Sequence, residues 1–270
     1  MESFRDDLLR ARAVQRSFLP EFERERAGVQ VAGEYRPAHA VGGDFYDVVH
    51  LRDGRVTALI GDVAGKGIAA ALLMARVSTE CRRLAGDKVG PRRILERVDA
   101  YLATQSLSDS FVTAACVQLQ TARRRWVACN AGHVAPLLRR RSGEVLTMTN
   151  SARPALPLGL GLAGFPGVSP YVEDEIPAEP GDVMLLVTDG VLEMLGVPHD
   201  HQGHRLAELL GAAADLDDLC RRVFDAAENS PAPPRDDAAL LALAVTDSAL
   251  PAAATRRLVL TDSADGAPVL

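Results

Sequence analysis

The chain has 270 residues, 47% of them hydrophobic, enough for one large packed domain or two small ones. Its 30 basic and 36 acidic residues leave a formal net charge of −6 with no dominant basic block, which speaks against nucleic acid and against anionic lipid as partners. The N-terminus is charged from its second residue and no apolar run approaches a bilayer span, so no signal peptide or membrane helix is expected.

The first predicted element is a helix. Ser3 and Asp6 form a capping-box-like start, and Phe4, Leu8, Ala11, Gln15 and Phe18 make a heptad stripe that Pro20 closes. The stripe either packs on the domain or pairs two chains as a homodimer, and residues 1–20 read as a linker or regulatory helix. Strands follow over 29–35, 45–51 and 56–60. Helices are predicted over 67–85 and from Pro91 to about Ser106. The runs 111–120, 125–130, 136–140 and 145–149 read as an antiparallel meander. Residues 150–170, rich in Pro and Gly, read as an irregular loop. Strands over 171–176 and 183–187, helices over 205–210 and 216–228, and an apolar strand over 238–245 complete the main domain, placed at 21–247. Residues 248–270 read as a loose tail. Many strands with separate groups of helices imply an α+β layered fold. Cys81, Cys116, Cys129 and Cys220 are scattered without CxxC pairing, which fits core thiols of a reduced, cytoplasmic chain.

The acidic residues at strand ends beside glycine carry the chemistry. Asp44 follows Gly42-Gly43, Asp62 follows Gly61, Asp189 precedes Gly190, and Asp236-Asp237 open the last apolar run. Each alone is as readily a turn former or a helix cap. Together they make a set of carboxylates at the tips of buried strands, which is costly unless a cation neutralises them. With hardly any histidine among them, oxygen-preferring Mn²⁺ or Mg²⁺ are the expected ions. The segment Gly61-Asp62-Val63-Ala64-Gly65-Lys66-Gly67 is not a P-loop, because only three residues separate its first two glycines and a glycine follows the lysine. His133, in Asn130-Ala131-Gly132-His133, is open as a ligand, a proton donor or a structural residue. The group His199, His201 and His204 reads as a solvated loop.

These motifs, in order, resemble the bacterial branch of the metal-dependent protein phosphatases (the PPM family), typified by the phosphatase domain of stage II sporulation protein E and by activators of the general stress sigma factor. The segments that carry the resemblance are Ala13 to Pro20, Val41 to Asp47, Gly61 to Gly67, Ala70 to Ala75, Phe111 to Ala114, Asn130 to His133, Pro157 to Gly159, Thr188 to Glu193 and Asp236-Asp237. The resemblance implies a four-layer α-β-β-α sandwich of two antiparallel sheets with two Mn²⁺ or Mg²⁺ ions at one edge. It implies that Asp62 bridges both ions with help from the Val63 carbonyl, that Asp189 and Asp236 complete one ion, that Asp44 serves the other, and that Asp237 supports the site from beside Asp236. Asp62 and Asp44 are thereby the expected catalytic pair, with Lys66, His133 and Gly190 as supporting positions. Two cations about 4 Å apart hold a hydroxide that attacks phosphorus in line. The implied substrate is phosphoserine or phosphothreonine on a protein, such as an anti-sigma-factor antagonist in a partner-switching pathway. Ala238-Ala239 departs from the family pattern of Ile or Met and Thr, which keeps open a phosphatase-fold module that binds a phosphoprotein or regulatory partner without turnover.

Overall fold

The computed structural model describes residues 2–105, 110–148, 156–160, 170–196, 202–228 and 236–250. Two antiparallel sheets stack face to face with helices outside each.

The first sheet contains β1 (Glu25–Arg26), β2 (Val29–Arg36), β7 (Leu137–Arg139), β8 (Val145–Thr147), β10 (Val183–Val187) and β11 (Ala238–Val245), in the order β1-β2-β11-β10-β7-β8. The second contains β3 (Phe45–His50), β4 (Arg55–Val63), β5 (Val112–Gln120), β6 (Arg125–Ala131) and β9 (Glu173–Pro177), in the order β3-β4-β5-β6-β9. Helices α2 (Ile68–Gly86) and α3 (Pro91–Ala103) cover the second sheet; α4 (Asp189–Met194), α5 (Gln202–Ala212) and α6 (Leu216–Glu228) cover the first. The order of layers is therefore α-β-β-α.

Burial on both faces explains the composition of the strands. In β11, Ala239, Leu241, Leu243 and Val245 point into the core between the sheets, while Ala238, Leu240 and Ala242 point to the helix layer. In β4, Val56, Ala58 and Ile60 face the other sheet, and Leu59 and Val63 face α2 and α3. Side chains alternate faces along a strand, so a strand covered on both sides reads as an unbroken apolar run.

Three parts of the structure differ from the sequence reading. Strands β5 and β6 pair in one sheet, whereas β7 and β8 pair in the other, so residues 111–149 do not form one meander. The crossover is a turn locked by Asn130, whose Nδ2 donates to the His133 carbonyl at 2.9 Å and whose Oδ1 accepts from the His133 amide at 2.7 Å. Residues 189–194 form α4, too short for its periodicity to register in the sequence. Finally, the packed unit runs past residue 247. The Thr246 amide and hydroxyl both donate to the Gly28 carbonyl at 2.8 Å, and Ala249 and Leu250 are buried in the core between the sheets. Residues 251–270 of the expected tail, and most of the expected 150–170 loop, lie outside the described residues.

At the other end of the chain, α1 (Glu2–Arg16) leads into a segment whose Leu19 and Phe22 pack on the inter-sheet core. Phe22 stacks on Tyr46 of β3 with ring centroids 5.9 Å apart and lies over Gly33 of β2, so it closes the side of the sandwich between these two strands. Within the predicted stripe, Gln15 is buried, Leu8 and Phe18 are half-buried and Ala11 is exposed.

Candidate active site

The register of the strands brings the aspartates together. Phe45 pairs with Gly61, so Asp44 and Asp62 emerge side by side at one end of the second sheet. Val187 pairs with Leu240 in the first sheet, so Thr188-Asp189 leave β10 beside the point where Asp236-Asp237 enter β11. Stacking puts these strand ends at the same end of the sandwich. Thr188 joins the sheets: its hydroxyl donates to Asp44 Oδ2 at 2.7 Å and accepts from the Ala239 amide at 2.9 Å.

Close backbone approach shapes the cluster. Asp237 accepts from the Ala38 amide and from the Gly43 amide, both at 2.9 Å. A Cβ at Gly42 would overlap the Asp237 carboxylate, and a Cβ at Gly190 would overlap the Asp237 carbonyl, so neither position admits a side chain. A Cβ at Gly43 would lie 2.8 Å from the Val63 carbonyl oxygen and 3.1 Å from Asp62 Oδ1. That carbonyl and that carboxylate therefore face one small space beside Asp44.

The electrostatics of this end are unbalanced. Burial pushes the Asp44 carboxyl well above the usual range, and the Asp62 charge pushes it further, against the Thr188 hydrogen bond. Asp62 is pushed up to about 7 by burial and then by the Asp189 charge, with a hydrogen bond from Asp44 pulling the other way. Burial and the Asp236 charge raise Asp189. Burial raises Asp237 against its two backbone donors. The strongest charge effects on Asp44 and Asp62 come from other carboxylates. The hydroxyl of Tyr35, buried and without a hydrogen-bond partner, is raised by burial and then by Asp237 and Asp44.

The donor set fits hard divalent cations: carboxylates and one backbone carbonyl facing a common space, with excess negative charge. Among the described residues no three His, Cys, Asp or Glu side chains converge as a single cage.

The other predicted positions fall as follows. Lys66 is exposed in the loop between Asp62 and α2. His133 lies next to the cluster through Thr113, the cross-strand partner of Asp62, whose hydroxyl is 2.8 Å from His133 Nδ1. Burial pushes this imidazole down to about 4, so the ring is neutral near pH 7. Exposed His204 lies on α5; His199 and His201 lie outside the described residues. The cysteines are buried, and burial raises their thiols, Cys129 and Cys220 to about 12, which makes them poor nucleophiles. Sequence reasoning missed Thr188 and Tyr35 as neighbours of the aspartates. A threonine directly before a strand-end Asp was the available signal for the first; nothing local marked the second.

Residues 52–246 match the family described as Stage II sporulation protein E (SpoIIE). The chain is 25% identical over 191 residues to phosphoserine phosphatase RsbP of Bacillus subtilis, covering 67% of this chain and 45% of that protein. It spans less than half the length of the curated relatives it matches. Among solved structures it is similar to the RsbU and RsbW domains of Rv1364c from Mycobacterium tuberculosis, with 27% identity, a TM-score of 0.70, and coverage of 84% of this chain and 64% of that one. The catalytic domain of the serine/threonine phosphatase PstP, solved with 2 manganese ions, shares the fold at 16% identity and a TM-score of 0.59, over 81% of this chain and 99% of that one. No described helix is long and apolar enough to cross a membrane.

Proposed function

The chain belongs to the stage II sporulation protein E family and carries a phosphatase domain of that type, and from this premise we propose that it hydrolyses phosphoserine or phosphothreonine on a protein with the help of two divalent cations. The observation that carries the proposal is the strand register that sets buried Asp44 beside half-buried Asp62, at the end of the sandwich where Asp189 and Asp236 also lie.

In this reading Asp62, with help from the Val63 carbonyl, and Asp189, Asp236 and Asp44 would hold the two ions. Bound there, Mn²⁺ or Mg²⁺ would supply an activated water and positive charge for the phosphoryl oxygens. The residues of the chain hold the geometry. Thr188 fixes the orientation of Asp44, and the Ala38 and Gly43 amides fix Asp237 behind it. Lys66, exposed at the rim, is available to meet a substrate phosphate as a point charge. Neutral His133 ties Thr113 to the corner where the chain changes sheets, a supporting role. The resemblance to regulators of the stress sigma factor supports an anti-sigma-factor antagonist as the substrate, and the likeness to the phosphoserine phosphatase RsbP supports phosphoserine as the group removed.

A module that binds phosphoproteins without turnover was suggested by Ala238-Ala239. Ala239, however, meets Thr188 through its backbone amide and carbonyl alone. Its small side chain faces the inter-sheet core, so the departure removes no ligand.

Hydrolysis of an aryl phosphate with and without Mn²⁺ tests the proposal. We expect turnover that EDTA abolishes and Mn²⁺ restores. Activity that survives exhaustive chelation would sink the metal reading, and a folded protein inactive with every divalent ion would favour the binding module.

A further inference from the structure

We propose that Gln15, which lies on α1 ahead of residues 52–246, is a positioning residue of the metal site. The inference rests on the reading of Asp44 and its neighbours as metal ligands.

Gln15 is the one polar member of the apolar stripe on α1, and its side chain is buried. Its Nε2 donates to the Gly42 carbonyl at 2.6 Å, and its Oε1 accepts from the Gly42 amide at 3.1 Å. A primary amide presents a donor and an acceptor side by side. Here it satisfies both backbone groups of one residue.

What Gln15 holds determines its consequence. The next amide along, Gly43, donates to Asp237 Oδ2, while Ala38 donates to Oδ1. Residues 38–43 thus wrap the Asp237 carboxylate, and the residue that follows is Asp44. Gly42 can carry no side chain, because the Asp237 carboxylate occupies that space. The loop can therefore be gripped there only by its backbone. Two consecutive glycines are also the residues that lose most conformational freedom on ordering. Gln15 offsets that looseness from a separate element. Without it, the Gly42 amide and carbonyl lose their partner, and the Gly43-Asp44 arm is held only by the bonds of Gly43 to Asp237 and of Asp44 to Thr188.

The experiment is Mn²⁺ binding by calorimetry on the full chain, wild type against Gln15→Met, which keeps length and apolar packing but removes both hydrogen bonds. We expect Mn²⁺ affinity to fall about tenfold, as loss of a buried hydrogen-bonded clamp predicts. Aryl phosphate turnover at saturating Mn²⁺ is expected to stay within about threefold of wild type, because the residue sets the geometry of the ligands and touches no reacting atom. Thermal melts in EDTA and in Mn²⁺ separate this from a merely structural role. Positioning shrinks the Mn²⁺-induced rise in Tm, whereas a purely structural role lowers both melts equally. Should Gln15→Met fail to fold, Gln15→Ala, with its high helix propensity, is measured the same way. Mn²⁺ affinity within twofold of wild type in a folded variant overturns the proposal. A wild type that binds no Mn²⁺ overturns the metal reading beneath it. A wild type that binds Mn²⁺ without turnover, with affinity lost in Gln15→Met, would refute hydrolysis alone and support the positioning role.

Discussion

Strand β10 has a buried carboxylate environment at each end, and the two differ in kind. At its start, fully buried Asp182 collects donors on Oδ2: Arg140 at 2.8 Å, the Glu179 amide at 3.0 Å and Trp126 Nε1 at 3.1 Å. Burial raises its carboxyl, and every one of these donors pulls it back down. At the other end, about 17 Å away at the rise of an extended strand, burial raises Asp44 and Asp62, and the neighbouring charges raise them further. The first arrangement answers the charge with donors from the protein itself, all on one oxygen while Oδ1 has no hydrogen-bond partner, and ties the two sheets together, since Trp126 lies on β6 and Arg140 follows β7. In the second, the neighbouring carboxylates add to the cost of burial. Such a cluster costs stability in the bare protein, and its retention in a well-packed sandwich points to chemistry at that end.

The sharpest way to break the comparison is to remove one charge at each end. Asp62→Asn is expected to lower metal-dependent turnover by at least about a hundredfold while leaving the melting temperature in EDTA unchanged or higher. Asp182→Ala is expected to do the reverse. It strips Arg140 and Trp126 of a buried partner and should cost about 3 kcal/mol in chemical denaturation, with turnover per folded molecule kept. Equal effects of the two substitutions on activity would erase the distinction.

The next effect is in pH. Asp44, Asp62, Asp189 and Asp237 all have folded-state carboxyls raised above their ordinary values. A raised group favours the fold most below its unfolded pKa, about 4 for an aspartate, and that contribution is lost as pH rises through the folded value. For Asp62 the folded value is about 7. In EDTA the melting temperature should therefore fall between about pH 4 and 7, and the gain from Mn²⁺ should grow over the same window. A flat profile in EDTA would mean that the carboxylates do not repel one another. The smallest effect serves as the control. The pair Arg24–Asp217 has side chains 88% and 63% exposed, so Arg24→Ala should change stability by less than about 0.5 kcal/mol in denaturant titrations.

Much of this molecule was legible one residue at a time. The apolar run 238–245 and the strand 183–187 match the observed strands at both ends, and Pro91 opens α3 where its fixed φ suits a first helical turn. The ordered motifs also named the aspartates before any geometry was known. Other features depended on partners distant in the chain. Hydrophobic period reports that a strand is buried but not which strand lies beside it, so the crossing from β6 to β7 was invisible. Ala249 and Leu250 look like the start of a tail until the core between the sheets receives them. Gln15 looks like a flaw in a stripe until Gly42, 27 residues on, meets its amide.

The sequence by itself determined most of the longer elements, the layered class and the candidate carboxylates, because burial on one or both faces of an element leaves a local period and because aspartate beside glycine at a strand end is a local signal. Only the tertiary structure decided which carboxylates face one another and what holds them, because hydrogen bonds such as Thr188 to Asp44, 144 residues apart, follow from the stacking of two sheets.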